Sequence, residues 1–300
     1  MNFDTDNLTT VKDFIRWGAS RFSEAKLSFG HGLSSPLDEA VYLVLNALHL
    51  PVDTSPNYWD GHLTAAEIIT VKDILVRRIK ERKPAAYLTN EGWFAGLSFF
   101  VDERVLVPRS PIAELVESQL TPWVDPDEVG SILDLCTGSG CIGIACAYAF
   151  TQANVDLADI SQDAIDVATI NIQRHDAAQQ VQAIQSNLFE SLKGKQYDII
   201  VSNPPYVDAE DMLALTEEFK HEPELGLSSG ENGLDLTISI LEQAADYLTE
   251  NGILVVEVGN SQYALQQQYP DTPFQWLEFE RGGDGVFLID KYQLKKFFSK

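Results

Sequence analysis

The chain has 300 residues, 45% of them hydrophobic and 10% aromatic, enough apolar material for two domains, and its 19 Gly and 13 Pro exclude collagen-like and low-complexity readings. No apolar run approaches the ~18–20 residues that span a bilayer, residues 1–10 lack the basic and apolar regions of a secretion signal, and three cysteines do not make a disulfide scaffold, so the expected setting is the cytoplasm, with no membrane partner. The net charge of −24 is unevenly spread: residues 1–90 carry 10 Lys and Arg against 11 Asp and Glu, while residues 91–300 carry 11 against 34. Nucleic-acid binders need a basic face to neutralise phosphate, so direct nucleic-acid binding is not expected. The acid either confers solubility or steers a basic partner.

Residues 1–83 read as helical. Val11, Phe14, Ile15 and Phe22 fall at helical spacing, and the apolar run over 37–49 is too long for a typical strand. Thr64 and Glu67 form a capping box that opens a helix marked by Ile68, Val71, Ile74, Leu75 and Ile79. Lys83 and Pro84 end it. The pattern changes over 84–108. Trp93, Phe94, Phe99, Phe100 and Val101, with Gly92 and Gly96 among them, predict a short hairpin, and 105–107 predicts a strand closed by Pro108. Ser110 and Pro111 are an N-cap and first-turn proline for a helix to about Leu120. From Ser131 strands and helices alternate: strands over 132–136, 155–159, 181–186, 199–202 and 253–258, helices near 141–150, 162–175 and 235–249, and a closing hairpin from 274–279 and 286–290. This is a doubly wound α/β domain with a mainly parallel sheet and a C-terminal antiparallel hairpin. The chain thus divides into a small all-helical domain (1–83), a hairpin linker (84–108) and an α/β domain (109–300).

The segment from Asp134 to Gly143, with glycines at 138, 140 and 143, leaves a strand and opens a helix. Glycines there let a ligand approach the backbone, and the helix start offers free amides. Asp159 ends the next strand, 19 residues beyond Gly140, where a carboxylate suits ribose hydroxyls. The spacing also meets the dinucleotide pattern, and a tight turn without ligand is the third alternative. Cys136, Cys141 and Cys146 are five apart, which does not match zinc pairs, so no metal is expected and they read as small packing residues.

Asn203-Pro204-Pro205-Tyr206 follows the 199–202 strand directly. The Asn203 amide supplies an acceptor, and Pro204, lacking an N–H, offers its carbonyl as a second. Two converging acceptors suit a planar –NH2 group, whose lone pair is delocalised and must be oriented before it attacks an electrophile. Tyr206 offers a flat face on which such a group can stack. Hydride-transfer machinery is absent from this constellation, which sets the dehydrogenase reading aside.

These two motifs resemble those of the class I S-adenosylmethionine-dependent methyltransferases that act on amide or exocyclic amino nitrogens, and essentially the whole chain is similar to the HemK-type protein-glutamine methyltransferases. One branch of that family methylates peptide chain release factors and typically carries Pro-Arg-Pro-x-Thr-Glu after the linker. Here the stretch Val105-Leu-Val-Pro-Arg109-Ser-Pro-Ile-Ala-Glu114, with Tyr87 to Gly96, His221 to Gly226 and Ser229 to Gly233, resembles the other branch, which acts on a glutamine of large-subunit ribosomal protein L-three. The resemblance implies a Rossmann-like catalytic domain, S-adenosylmethionine as cofactor and S-adenosylhomocysteine as product. Thr137, Gly138, Ser139 and Gly140 would contact the methionine moiety, Asp159 the ribose, and Asn187 and Leu188 the adenine. Many relatives carry Asp where Asn187 stands. Asn203 would face both cofactor and substrate; with Pro204, Pro205 and Tyr206 it would hold the substrate amide. Arg109 either positions substrate or closes the cofactor site, while Glu222 and Glu257 either line the substrate channel or are structural. The helical domain, with Trp93 and Phe94, would recognise a basic protein substrate, acted on before ribosome assembly. The rivals are the release-factor branch and a nucleic-acid adenine methyltransferase that applies the same motif to a flipped base.

Overall fold

A computed structural model of the chain describes residues 3–298. It divides into two compact units, Met1–Glu91 with Leu215–His221, and Gly92–Ala214 with Glu222–Lys300.

The first unit is helical: α1 (Val11–Glu24), α2 (Pro36–Ala47), α3 (Ala65–Glu81) and the single-turn α4 (Ala85–Thr89). Capping boxes open α1, through Thr10 and Asp13, and α3, through Thr64 and Glu67, while Ser35 caps α2 ahead of Pro36. Phe14, Phe22, Leu43, Leu45 and Leu75 are wholly buried at the centre. Gly18 lets α1 approach its neighbours, because a Cβ there would stand 3.0 Å from Leu75 and 3.3 Å from Ala40. A charged group crosses this core. Arg78 is fully buried, donates to Glu39 Oε1 at 2.6 Å and to the Ser28 carbonyl at 3.2 Å, and lies 3.8 Å from Glu218, a residue of the Leu215–His221 segment. Arg82 pairs with the same buried Glu218 at 2.7 Å.

The second unit begins with the antiparallel hairpin β1 (Gly92–Phe94) and β2 (Leu97–Phe99), followed by α5 (Ile112–Glu117). Then come β3 (Ser131–Leu135), α6 (Cys141–Ala149), β4 (Asn154–Asp159), α7 (Gln162–Arg174), β5 (Val181–Gln185), β6 (Tyr197–Ser202) and α8 (Ala209–Ala214). The unit closes with α9 (Asp235–Tyr247), β7 (Leu248–Glu257), α10 (Gln262–Gln268), β8 (Gln275–Trp276), β9 (Val286–Asp290) and α11 (Lys291–Phe298). The seven-stranded sheet has the order β5-β4-β3-β6-β7-β9-β8, parallel from β5 to β7 and antiparallel at β9 and β8. Successive strand residues serve opposite faces. Ile132, Ile199, Val201 and Val255 pack with α5, α6 and α7, whereas Leu133, Ile200, Leu254 and Val256 pack with α9, α10 and α11. Both faces being covered, the strands read as near-continuous apolar runs.

Two local expectations are corrected. Val105 and Val107 are buried, but residues 105–107 form no strand: the Val107 amide donates to the Glu222 carboxylate at 3.1 Å instead of to a neighbouring strand. The helix after Pro111 ends at Glu117 rather than Leu120, and Gln119 and Leu120 both take positive φ. Among the described residues, no helix is long and apolar enough to cross a membrane.

Candidate active site

β3 is flanked by β4 on one side and β6 on the other, so the chain changes direction across the sheet between β3 and β6. Such a switch point opens a crevice at the carboxyl ends of the two strands. Leu135 of β3 is in register with Ser202 of β6, and the Ser202 hydroxyl donates to the Leu135 carbonyl at 2.7 Å. The glycine turn and the Asn203–Tyr206 motif therefore leave the sheet side by side. A cavity of about 200 Å³ lies there, walled by Thr137, Gly138 and Ser139 of the turn, Asp159, and Asn203 and Tyr206 of the motif. Pro205, Asn187, Leu188 and Arg109 also line it, whereas Gly140 and Pro204 do not reach its surface.

The turn is held from below by Asp134, whose Oδ2 accepts from the Thr137 hydroxyl at 2.5 Å and from the Gly143 amide at 2.8 Å. Asp134 is wholly buried, and burial pushes its carboxyl up to about 7. Gly140 caps α6 at φ 81°, a conformation that favours glycine. Gly143 is required by packing, since a Cβ would stand 2.1 Å from Leu157 and 2.9 Å from the Asp134 Cβ. Asp159 accepts from the Gly138 amide and the Ser161 amide, each at 2.9 Å. Burial raises its carboxyl too. These bonds, with a further backbone contact from Ile160, do not use up the lone pairs of a carboxylate, so acceptor capacity remains for a hydroxyl.

Asn187 is exposed and its amide donates to Glu190 at 3.2 Å. Arg109 forks onto Glu222, Nη1 to Oε1 at 2.5 Å and Nη2 to Oε2 at 2.8 Å. Glu222 is buried, ties down Val107 as well, and is not part of the cavity wall. Glu257 is in the wall, with burial raising its carboxyl. Phe94 sits in the apolar core rather than on the surface, so of the two hairpin aromatics only Trp93, 44% exposed, is free to meet a partner. The alternation follows from the period-2 geometry of β1. Cys141 and Cys146 are buried and Cys136 half-buried; burial pushes all three thiols up, Cys141 to about 12.

Sequence reading missed two positions. Asn171, wholly buried on α7, donates to the Phe100 carbonyl at 2.9 Å and the Ser139 carbonyl at 2.8 Å and accepts from the Phe100 amide at 2.7 Å. Ser110 lines the cavity and donates to Glu257 Oε2 at 2.5 Å. A buried Asn in an otherwise apolar helix face is the only signal for the first; the second is expected from sequence only as the N-cap of α5, but that position falls to Pro111, outside the helix, and Ser110 accepts from the Ile112 amide at 3.2 Å without capping it.

A doubly wound sheet whose switch-point cavity is walled by the glycine turn, Asp159 and the Asn203–Tyr206 motif is the architecture of a class I methyltransferase. The model for the methyltransferase small domain family matches residues 117–231. A ribosomal protein uL3 glutamine methyltransferase from Francisella tularensis is 49% identical over 98% of this chain and 96% of its own, and one from Neisseria gonorrhoeae is 50% identical over 98% of each. The chain belongs to the ribosomal protein uL3 glutamine methyltransferase family. Among solved structures, a methyltransferase from Pyrococcus furiosus matches 65% of this chain and 89% of its own at 18% identity, with a TM-score of 0.47.

Proposed function

We propose that the chain transfers the methyl group of S-adenosylmethionine to the side-chain amide nitrogen of a glutamine in ribosomal protein uL3. The observation that carries this reading is the register of β3 with β6, which brings the glycine turn and Asn203–Tyr206 into one cavity. The site chemistry fits the cofactor. Gly138 has open space where a Cβ would stand, so a ligand can lie on the turn. Asp159 keeps acceptors for a ribose, and Asn187 and Leu188 offer an amide and an apolar edge for a purine. Thr137, Ser139 and Gly140 complete the cradle, the last by setting the turn's geometry.

When bound, S-adenosylmethionine supplies a methyl group made electrophilic by its sulfonium. The chain's own task is to prepare the other reactant. An amide nitrogen is a poor nucleophile because its lone pair is shared with the carbonyl. The Asn203 side-chain oxygen would accept from the target –NH2 and Tyr206 would back its plane, which orients the nitrogen lone pair; Pro204 lies behind the cavity surface, so its carbonyl is not assigned as the second acceptor. Once the amide is held this way, its nitrogen would be the acceptor of the sulfonium methyl, and the displaced amide proton would pass to water. Orientation supplies much of the acceleration. Arg109, forked to Glu222, holds the cavity wall rather than reaching freely for substrate. The acidity of residues 91–300 steers a basic ribosomal protein, acted on before assembly.

The test offers labelled S-adenosylmethionine with uL3, a peptide chain release factor and duplex DNA in parallel, followed by mass spectrometry. Label is expected on a glutamine of uL3 alone. Label on the release factor moves the substrate to the sister branch, and label on DNA means that the motif holds a base. Equal labelling of free uL3 and of intact ribosomal subunits would overturn the timing.

A further inference from the structure

Tyr206 is fixed in three ways. Its hydroxyl donates to Glu257 Oε1 at 2.9 Å. Its ring lies against the backbone of Gly259, where a Cβ would stand 2.6 Å from Cε2 and 2.9 Å from Cζ, at a φ of 45°. Its carbonyl accepts from the Ser261 hydroxyl at 3.0 Å. Glu257 is the last residue of β7, and Val256 before it is in register with Ser202, so Glu257 emerges beside Asn203 at the carboxyl edge of the sheet. Its carboxylate is buried and lines the cavity, with one oxygen on Tyr206 and the other on Ser110.

Burying a carboxylate is costly unless both oxygens are satisfied. Packing alone would be served by an apolar side chain. What a carboxylate adds is two acceptors, each receiving a hydroxyl proton, so that neither hydroxyl can rotate away. We propose that Glu257 is a positioning residue for methyl transfer: by accepting from the Tyr206 phenol it fixes the ring plane that backs the target amide. The proposal rests on the reading of Asn203–Tyr206 as the amide-holding motif. Glu257 acts through Tyr206 and exchanges no proton with the substrate. Gly259 is part of the same device, because any side chain there would push the ring toward the cavity.

The test measures kcat, KM for uL3 and cofactor affinity in the full-length enzyme. Glu257→Gln keeps the size of the side chain but has one acceptor in place of two. A roughly 10- to 50-fold fall in kcat is expected, with KM and cofactor affinity within about threefold of wild type. Tyr206→Phe, which removes only the hydroxyl, should lose about as much, and the double variant no more than either single. Losses that multiply would overturn the proposal, since Glu257 would then act without Tyr206. So would an equal fall in kcat and cofactor affinity. Should Glu257→Gln fail to fold, Glu257→Asp, which keeps the carboxylate but draws it back by one methylene, is compared with Tyr206→Phe. Both are expected to lower kcat by about tenfold or more with KM and cofactor affinity within about threefold of wild type; a Glu257→Asp variant with wild-type kcat would overturn the proposal. Asn203→Ala is run beside these variants. If it retains full turnover, the motif reading fails and this proposal falls with it; if it is inactive while the Glu257 and Tyr206 losses multiply, only this proposal fails.

Discussion

Asn171 donates a hydrogen bond to the Ser139 carbonyl at 2.8 Å, so one buried side chain on α7 holds the glycine turn from behind while binding both backbone groups of Phe100. Asn171→Ala takes the partner from three backbone groups, the buried Ser139 carbonyl and the partly buried amide and carbonyl of Phe100. The expected loss is about 2–4 kcal/mol of unfolding free energy by urea titration, with weaker S-adenosylmethionine binding by calorimetry. Unchanged cofactor affinity would mean that the turn holds its shape without Asn171.

Asn203→Ala removes an acceptor used at the reacting nitrogen. Turnover should fall on the order of 100-fold while cofactor affinity stays within about threefold. Single-turnover kinetics with saturating uL3 separates the two. A matched fall in both would transfer Asn203 from the substrate to the cofactor.

Asp134 ties stability to pH. Burial raises its carboxyl from 3.8 to about 7, so the folded state holds the proton more tightly than the unfolded chain. The stability it contributes is complete below about pH 4 and is lost as pH rises toward 7, at up to about 1.4 kcal/mol per pH unit. Asp134→Asn keeps an oxygen for Thr137 and Gly143 and does not titrate. The variant should therefore gain on wild type between pH 4 and 7.5, measured as the difference of two urea titrations. A constant difference would mean that Asp134 titrates alike in both states.

Gly143→Ala tests the close approach of α6 to the sheet. The new methyl meets Leu157 and the Asp134 Cβ, and the second cannot swing aside. About 1–3 kcal/mol of destabilisation is expected from overpacking, read as a lower urea midpoint. A midpoint equal to wild type would show that the helix can slide outward freely.

Arg78→Ala leaves Glu39 buried without its guanidinium partner. The expected loss is about 3–5 kcal/mol, confined to the helical unit. Near-ultraviolet circular dichroism of Trp17, buried in that unit, reports it, and a wild-type melting point would refute it.

The parallel sheet was legible because its strands are apolar runs of strand length, separated by helices and punctuated at Gly138, Gly140 and Pro204. Residues 105–107 misled because β-branched spacing is shared by true strands and by buried extended segments, and only the distant Glu222 decides between them. The helix α11 escaped notice because no Gly or Pro separates it from β9, yet Asp290 and Gln293 cap each other's amides at 2.7 and 3.2 Å, a signature readable in the sequence. The cavity's motif residues were visible as contiguous strings. Asn171, which holds the turn, was not, and Glu257 was legible only as a channel-lining or structural residue and not as the partner of Tyr206, because those contacts join elements far apart in the chain and depend on strand register.

The helical unit is not continuous along the chain. Glu218, which pairs with Arg82 and lies near Arg78 in its core, arrives only after β6 has been made. During synthesis from the N-terminus, the first helices leave the ribosome before the carboxylate that completes their charge network exists. The portion translated first is thus finished late. A chain interrupted anywhere between Glu91 and Leu215 would carry an incomplete helical unit, with buried positive charge in excess, and would be open to proteolysis. Completion of the helical unit reports that the sheet has been translated through β6.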